Sequence, residues 1–269
     1  MRKRAANAPP SAITATHNLL KLHRLAAVAR SPPNGGCGAR VFPGALAAAR
    51  LTRSATVGVV VQRNRPVFAR IQARASAIEE RRGGAVRRRQ LLHGLSGRVV
   101  EVGAGSGVSF AHYPESVSEL IAIEPEPALR ERALQAATGA RVPVRVVDGV
   151  AERIPLPDAS VDAAVFAGVL CSVADPRRAL DEARRVLRPG GELRFYEHVI
   201  ARNARLRGLQ RLLDATFWPR LFGGCRTTRD TESTLVASGF TIEERERFLF
   251  RPTLLATPVA PRILGRARR

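Results

Sequence analysis

The residues best equipped for chemistry begin at Glu101. From there the chain runs Glu101-Val102-Gly103-Ala104-Gly105-Ser106-Gly107, directly after the apolar pair Val99-Val100. A buried strand that enters alternating glycines lets a ligand touch bare backbone and leaves N–H groups free for a carboxylate or phosphate. Glu124 follows the loop at about 20 residues, the spacing at which a carboxylate reaches ribose hydroxyls. Asp148-Gly149-Val150-Ala151-Glu152 then falls where an adenine edge would need polar backbone contacts. In this order and at this spacing, the three features predict a nucleoside-containing cofactor. A dinucleotide fits poorly, because its G-x-G-x-x-G fingerprint would put glycine where Val108 stands.

A second group of candidates lies downstream. His198, beside Glu197, is the best-placed general base, and Asp214 is positioned either to orient it or to cap the helix it ends. Cys171 and Cys225 are expected as small buried apolar groups rather than catalysts. With Cys37 they make three cysteines, far apart and odd in number. They form neither a disulfide framework nor a metal-ligand spacing, so no metal is expected and a reducing, cytoplasmic compartment fits.

The elements that must hold these residues alternate along the chain. Residues 66–93 show helical spacing interrupted by Gly83-Gly84, which predicts two helices packed on or over the mouth of the domain. Strands are expected at 98–102, 118–124, 142–148, 161–167 and 192–199. Helices are expected at 125–138 and from Asp175-Pro176 to Arg188-Pro189-Gly190-Gly191. A helix around 206–213, another over 231–238, and strands at 240–248 and 253–257 complete the pattern. Residues 263–269 read as a frayed basic tail. Strands separated by helices imply a Rossmann-like, doubly wound α/β fold: a mostly parallel seven-stranded sheet with helices on both faces. The expected division is 1–60 as an extension, 61–97 as covering helices, 98–258 as the main domain and 259–269 as the tail.

The formal charge of +21 is unevenly spread. Residues 1–78 hold 13 basic and no acidic side chains, against 31 basic and 23 acidic in the remainder. An arginine-rich, acid-free start has the composition of a transit peptide. A disordered arm, or upstream sequence ahead of a true start near 57–61, has the same look. Almost every basic residue is arginine beside abundant alanine, glycine and valine, the pattern of a GC-rich coding bias rather than of a nucleic-acid surface. No window approaches the ~20 apolar residues of a membrane span, which leaves only peripheral membrane contact open. The oligomeric state is not encoded in any motif.

The loop resembles the first motif of class I S-adenosylmethionine-dependent methyltransferases. The resemblance spans about residues 90–250 and includes Glu124, Ala151-Glu152-Arg153-Ile154-Pro155-Leu156, Ser160-Val161-Asp162 and Val186-Leu187-Arg188-Pro189-Gly190-Gly191. It is strongest with the branch containing the ubiquinone/menaquinone methyltransferases. It implies that Gly103, Ala104, Gly105 and Gly107 line the methionine end of S-adenosyl-L-methionine, with Glu101 near its ammonium. Glu124 would hold the ribose hydroxyls, Pro125 would flank the adenine, Val150 and Ala151 would sit at its edge, and Ala167 would lie beneath the methionine chain. Many relatives carry an aspartate where Val150 stands, so either Asp148 or backbone alone would read the adenine.

A finer likeness lies in Val169-Leu170-Cys171-Ser172-Val173, Tyr196-Glu197-His198-Val199, Leu213-Asp214, Trp218, Leu221-Phe222, Gly224-Cys225 and Thr228-Arg229. These strings resemble the alkyl thiol S-methyltransferase-like proteins. They imply a small, fairly apolar acceptor such as a thiol, methylated by in-line transfer. The alternatives are a carbon or oxygen nucleophile such as a quinone precursor, and an RNA-binding or RNA-modifying protein. Against the last, Ala167-Gly168-Val169-Leu170 stands where a base-methylating Asn-Pro-Pro-Tyr-like motif would be, and there is no aromatic-basic stripe.

Overall fold

The computed structural model describes residues 65–269, and the expected N-terminal extension lies outside them. The order of elements is α1 (Pro66–Glu79), α2 (Ala85–Leu92), β1 (Gly97–Val102), β2 (Val117–Ile123), α3 (Pro127–Ala137), β3 (Val144–Val147), β4 (Val161–Ala167), α4 (Pro176–Val186), β5 (Leu187–His198), α5 (Ala204–Ala215), α6 (Trp218–Leu221), α7 (Thr231–Ala237), β6 (Thr241–Leu249) and β7 (Pro261–Arg268). The break at Gly83-Gly84 is a kink between α1 and α2, with Gly83 at φ +110°.

The seven strands form one sheet in the order β3-β2-β1-β4-β5-β7-β6. β7 runs antiparallel to both neighbours and the other pairings are parallel. Chain order reverses between β1 and β4, which makes their carboxyl ends the place where such sheets take ligands. Successive residues of β1 explain the two-layer packing. Val100 and Val102 join the side built with α4 and α7, while Val99 joins the opposite side with α2 and α3. A strand covered on both faces carries apolar residues on both, and that is why Val99, Val100 and Val102 do not alternate with solvated positions.

The start of α4 obeys the local rule: the Asp175 carboxylate accepts from the Arg177 and Arg178 N–H groups at 3.0 and 3.1 Å. Two expectations fail. The segment expected as a strand at 253–257 is a short 3₁₀ turn, Leu254–Val259, held by Pro258 and a Thr257 hydroxyl that donates to Leu254 O. The expected basic tail is β7, wedged between β5 and β6 with Ile263 and Ala267 fully buried. Its arginines do not fray into water because each finds a carboxylate. Arg262 pairs with Glu79, Arg266 with Glu244, and Arg268 with Glu243.

Candidate active site

β1 feeds the glycine turn at the switch point. The Gly103 and Ala104 N–H groups both donate to Ile123 O, at 2.8 and 3.0 Å, which fastens the turn to the end of β2. Gly103 sits at φ +69°, and a Cβ there would lie 2.6 Å from Val169 Cγ2. Gly105 sits at φ +59°, yet a Cβ on it would meet nothing within 4 Å. The first glycine is therefore required by packing, and the second borders open space that a ligand can fill. Gly107 packs against Phe110 and Ala136 and closes the turn.

Three carboxylates lie on or beside this turn. Glu101 is buried and accepts from the Tyr113 hydroxyl at 3.1 Å. Burial pushes its carboxyl up to about 7, against the opposing pull of hydrogen bonds from Ser109 and Tyr113. Glu124 accepts from Gly105 N–H at 2.7 Å and from Glu126 N–H at 2.9 Å. Burial raises its carboxyl despite those two amides. Glu126 is the residue that the sequence reading missed. It is buried next to Glu124, accepts from Arg65 N–H at 3.1 Å through one oxygen, and among the described residues leaves the other without a partner. Its only sequence signal was the Glu-Pro-Glu-Pro string, which also reads as a plain helix start.

The other residues expected to line the cofactor lie at or just after the ends of β2, β3 and β4. Pro125 O accepts from Arg130, which also holds one oxygen of the exposed Asp148 at 3.0 Å. Asp148 is thus committed to an ion pair. Val150 is half-buried in a tight turn closed by Arg153 N–H at 3.1 Å, and Ala151 is buried beside it. Ala167 ends β4, and Gly168 N–H donates to Tyr196 O at 2.8 Å.

The acceptor end is built from three segments. Glu197, fully buried on β5, accepts from the Val169 and Leu170 N–H groups at 2.8 and 3.1 Å and so fixes the turn after β4. His198, also buried, ends β5 with Nε2 3.2 Å from Cys225 Sγ. Trp218 Nε1–H points at the same sulfur from 3.4 Å. Cys171 comes from the turn after β4, and its thiol, the His198 ring nitrogen and the Cys225 thiol all lie within 4.8 Å of one another. The two cysteines are buried as expected, but they converge, which no sequence spacing revealed. Donation to Cys225 and burial raise the Cys171 thiol, and the same hydrogen bond lowers the Cys225 thiol.

Asp214 does not reach His198 by a hydrogen bond. It accepts from Thr227 N–H and Oγ1–H at 2.7 and 3.0 Å and from Thr228 N–H and Oγ1–H at 3.0 and 2.6 Å. Four donors saturate both oxygens. The expected orienter of the histidine is instead the anchor of the loop that carries Cys225.

Known proteins converge on the same reading. A family model described as "Methyltransferase domain" matches residues 100–195. The chain is 34% identical over 181 residues to the human thiol S-methyltransferase TMT1B, covering 65% of this chain and 73% of that protein. It is 36% identical over 157 residues to human thiol S-methyltransferase TMT1A, covering 56% and 64%. The chain belongs to the class I S-adenosylmethionine-dependent methyltransferases, in the thiol S-methyltransferase-like branch. A methyltransferase of Thermotoga maritima shares the fold, with TM-score 0.55 and 24% identity over 75% of this chain and 97% of that one.

The cofactor of this methyltransferase is S-adenosyl-L-methionine, and the site suits it. Gly105 borders open space, Glu101 is a buried carboxylate at the entry to the same turn, and Glu124 accepts from the Gly105 N–H. Among the described residues no helix is long and apolar enough to cross a membrane.

Proposed function

We propose that this methyltransferase alkylates the sulfur of a small, fairly apolar thiol. The observation that carries the proposal is the fate of the acceptor-side carboxylates. Asp214 has both oxygens taken by Thr227 and Thr228, and Glu197 is fully buried with one oxygen held by the Val169 and Leu170 amides, so neither is placed as an exposed, oriented base. An alcohol or carbon acid would need such a base. A thiol, with a reference pKa of about 8.5, becomes nucleophilic with far less help. The names of the relatives support the same acceptor class.

The cofactor, when bound, supplies an electrophilic methyl on a sulfonium that is already a good leaving group. The protein's part is placement. We assign Glu101 to the ammonium, Glu124 to the ribose hydroxyls, and the Gly103–Gly107 backbone to the methionine chain. Pro125, Val150, Ala151 and Ala167 complete the wall. Holding the acceptor in line contributes several kcal/mol through lost translational freedom alone. His198 lines the acceptor side against Cys225, and Asp214 is a positioning residue that acts through the Cys225 loop. Trp218, Phe222, Leu213 and Val259 pack around Cys171 and Cys225, which supports an apolar acceptor. Exposed Leu212, Phe217, Leu221, Leu254 and Leu255 extend that character outward and suit a lipophilic substrate or peripheral membrane contact. Two neighbouring free cysteines suit a reducing compartment such as the cytoplasm.

A panel of alkyl thiol, phenol and quinone-precursor acceptors with labelled donor tests the assignment. Label in the thioether product is expected, and transfer confined to oxygen or carbon would reject it. In calorimetry with S-adenosylhomocysteine, Glu124→Ala should lose about 100-fold in affinity, the scale of two hydrogen bonds to a charged acceptor. Wild-type affinity in that variant would remove Glu124 from the ribose.

A further inference from the structure

We propose that Cys171, His198 and Cys225 form a binding site for a thiophilic divalent cation of the zinc type, with three protein ligands and one open position. The three donor atoms come from separate elements: the turn after β4, the end of β5 and the loop after α6. They meet within 4.8 Å of one another, and all three residues are buried. Zinc bonds of about 2.3 Å to sulfur and 2.0–2.1 Å to nitrogen place tetrahedral ligands roughly 3.5–3.8 Å apart. The Nε2–Sγ separation of 3.2 Å is a few tenths from that distance. Two thiols and one imidazole, with no carboxylate, make a soft set that selects zinc over magnesium or calcium.

The surroundings have the form of an outer shell that holds ligands still. Trp218 Nε1–H points at Cys225 Sγ from 3.4 Å, a contact that favours the thiolate a metal requires. Arg226 N–H donates to Cys171 O at 2.8 Å and ties the two cysteine-bearing loops together. Glu197 fixes the turn before Cys171, and Asp214 fixes the residues just after Cys225. The buried Glu197 and the half-buried Asp214 thus both frame this cluster. Metal on Nε2 leaves Nδ1 as the protonated ring nitrogen, and it has no hydrogen-bond partner among the described residues, so His198 is the one ligand that the outer shell does not hold.

The cluster adjoins the cofactor loop. Val169, two residues before Cys171, is the side chain that a Cβ on Gly103 would strike. An open fourth position there suits the acceptor sulfur, a role that rests on the thiol reading above. The thiol would lose its proton to solvent on coordination. Its sulfur would then form the new S–CH₃ bond as the sulfonium C–S bond breaks, and the electron pair would stay with S-adenosylhomocysteine. The thioether product is a weaker ligand than a thiolate and leaves.

The test uses the full chain, stripped with chelator under reductant and titrated with Co²⁺ as a spectroscopic probe. One cobalt per chain is expected, with a near-ultraviolet thiolate-to-metal charge-transfer band and displacement by Zn²⁺. Cys171→Ser and Cys225→Ser should each weaken metal binding by at least about 100-fold, a modest share of a structural zinc site's affinity. Retained S-adenosylhomocysteine binding shows that each variant is folded. The site is rejected if wild type binds the cofactor product but shows no thiolate–cobalt band. It is also rejected if the band survives the double Cys171→Ser/Cys225→Ser change, or if mass spectrometry of the unreduced protein finds a Cys171–Cys225 disulfide and no metal uptake. Metal binding as expected, with only oxygen or carbon acceptors methylated, would uphold the site and overturn the thiol reading. Thiol methylation without metal binding would do the reverse.

Discussion

Glu101 shows how a single buried carboxylate can serve ligand binding at the expense of the empty fold. Burial raises its carboxyl to about 7, against the Ser109 and Tyr113 hydroxyls and the Arg88 charge that lower it, with the Glu124 charge adding to the rise. Between the ordinary carboxylate range and that value, the unfolded chain has released the proton while the folded chain still holds it. Stability therefore falls as pH rises through this window, by about 3 kcal/mol in total. An ammonium beside Glu101 would reverse the preference, so cofactor binding should expel a proton and weaken as pH drops below about 7. Glu101→Gln is expected to raise the melting temperature of the cofactor-free protein at pH 8 while lowering S-adenosylhomocysteine affinity. Thermal scans and calorimetry at pH 6 and pH 8 check both halves. Affinity that does not vary with pH would exclude contact between Glu101 and the ammonium.

Elements were legible in the sequence where local chemistry and burial agree. The Asp175-Pro176 helix start and the apolar run into the glycine turn each carry their own signal and stand where expected, whereas Arg188-Pro189-Gly190-Gly191 follows the helix end as expected but lies within β5, which begins at Leu187 and not at 192. β7 carried none, because Arg262, Arg266 and Arg268 look solvated until partners from α1 and β6 reach them. The cofactor site was legible for the same reason as β1: its residues are close in sequence and follow a fixed order. The Cys171–His198–Cys225 cluster is spread over 55 positions, and only the parallel pairing of β4 with β5 and the fold-back of the loop after α6 bring it together. That fold-back depends on Asp214 at the end of α5. Asp214→Ala removes the acceptor of four hydrogen bonds from Thr227 and Thr228 and should cost about 1–3 kcal/mol. Turnover should fall while S-adenosylhomocysteine affinity holds, and Asp214→Asn should restore part of it. Equal losses in cofactor affinity and turnover would show instead that Asp214 supports the whole domain.

At the scale of the molecule, one buried ion pair joins the first and last described elements to the sheet. Arg262 on β7 donates to both oxygens of Glu79 on α1, at 2.8 and 3.0 Å, and to the Tyr196 hydroxyl on β5 at 2.8 Å. Burial alone would raise the Glu79 carboxyl, but Arg262 outweighs it and holds the group below its ordinary range. A folded value below the unfolded one gives stability that is fully present above the ordinary carboxylate range and is lost as pH falls through the folded value. The pair secures the helix that leads into the Glu126 contact at Arg65, so its loss should reach the cofactor side as well. Arg262→Met leaves Glu79 charged and without its guanidinium, which should cost about 3–5 kcal/mol at neutral pH. Pairing it with Glu79→Gln should recover most of that, because the penalty comes from the unpaired charge and not from the missing pair. The single variant should also regain stability between pH 7 and pH 5 as Glu79 takes up a proton, the opposite slope to that of the native pair. Urea unfolding of the three proteins at the two pH values measures this. A single variant within 1 kcal/mol of wild type, or one with no pH-dependent recovery, would mean that α1 is held by its apolar contacts and not by this ion pair.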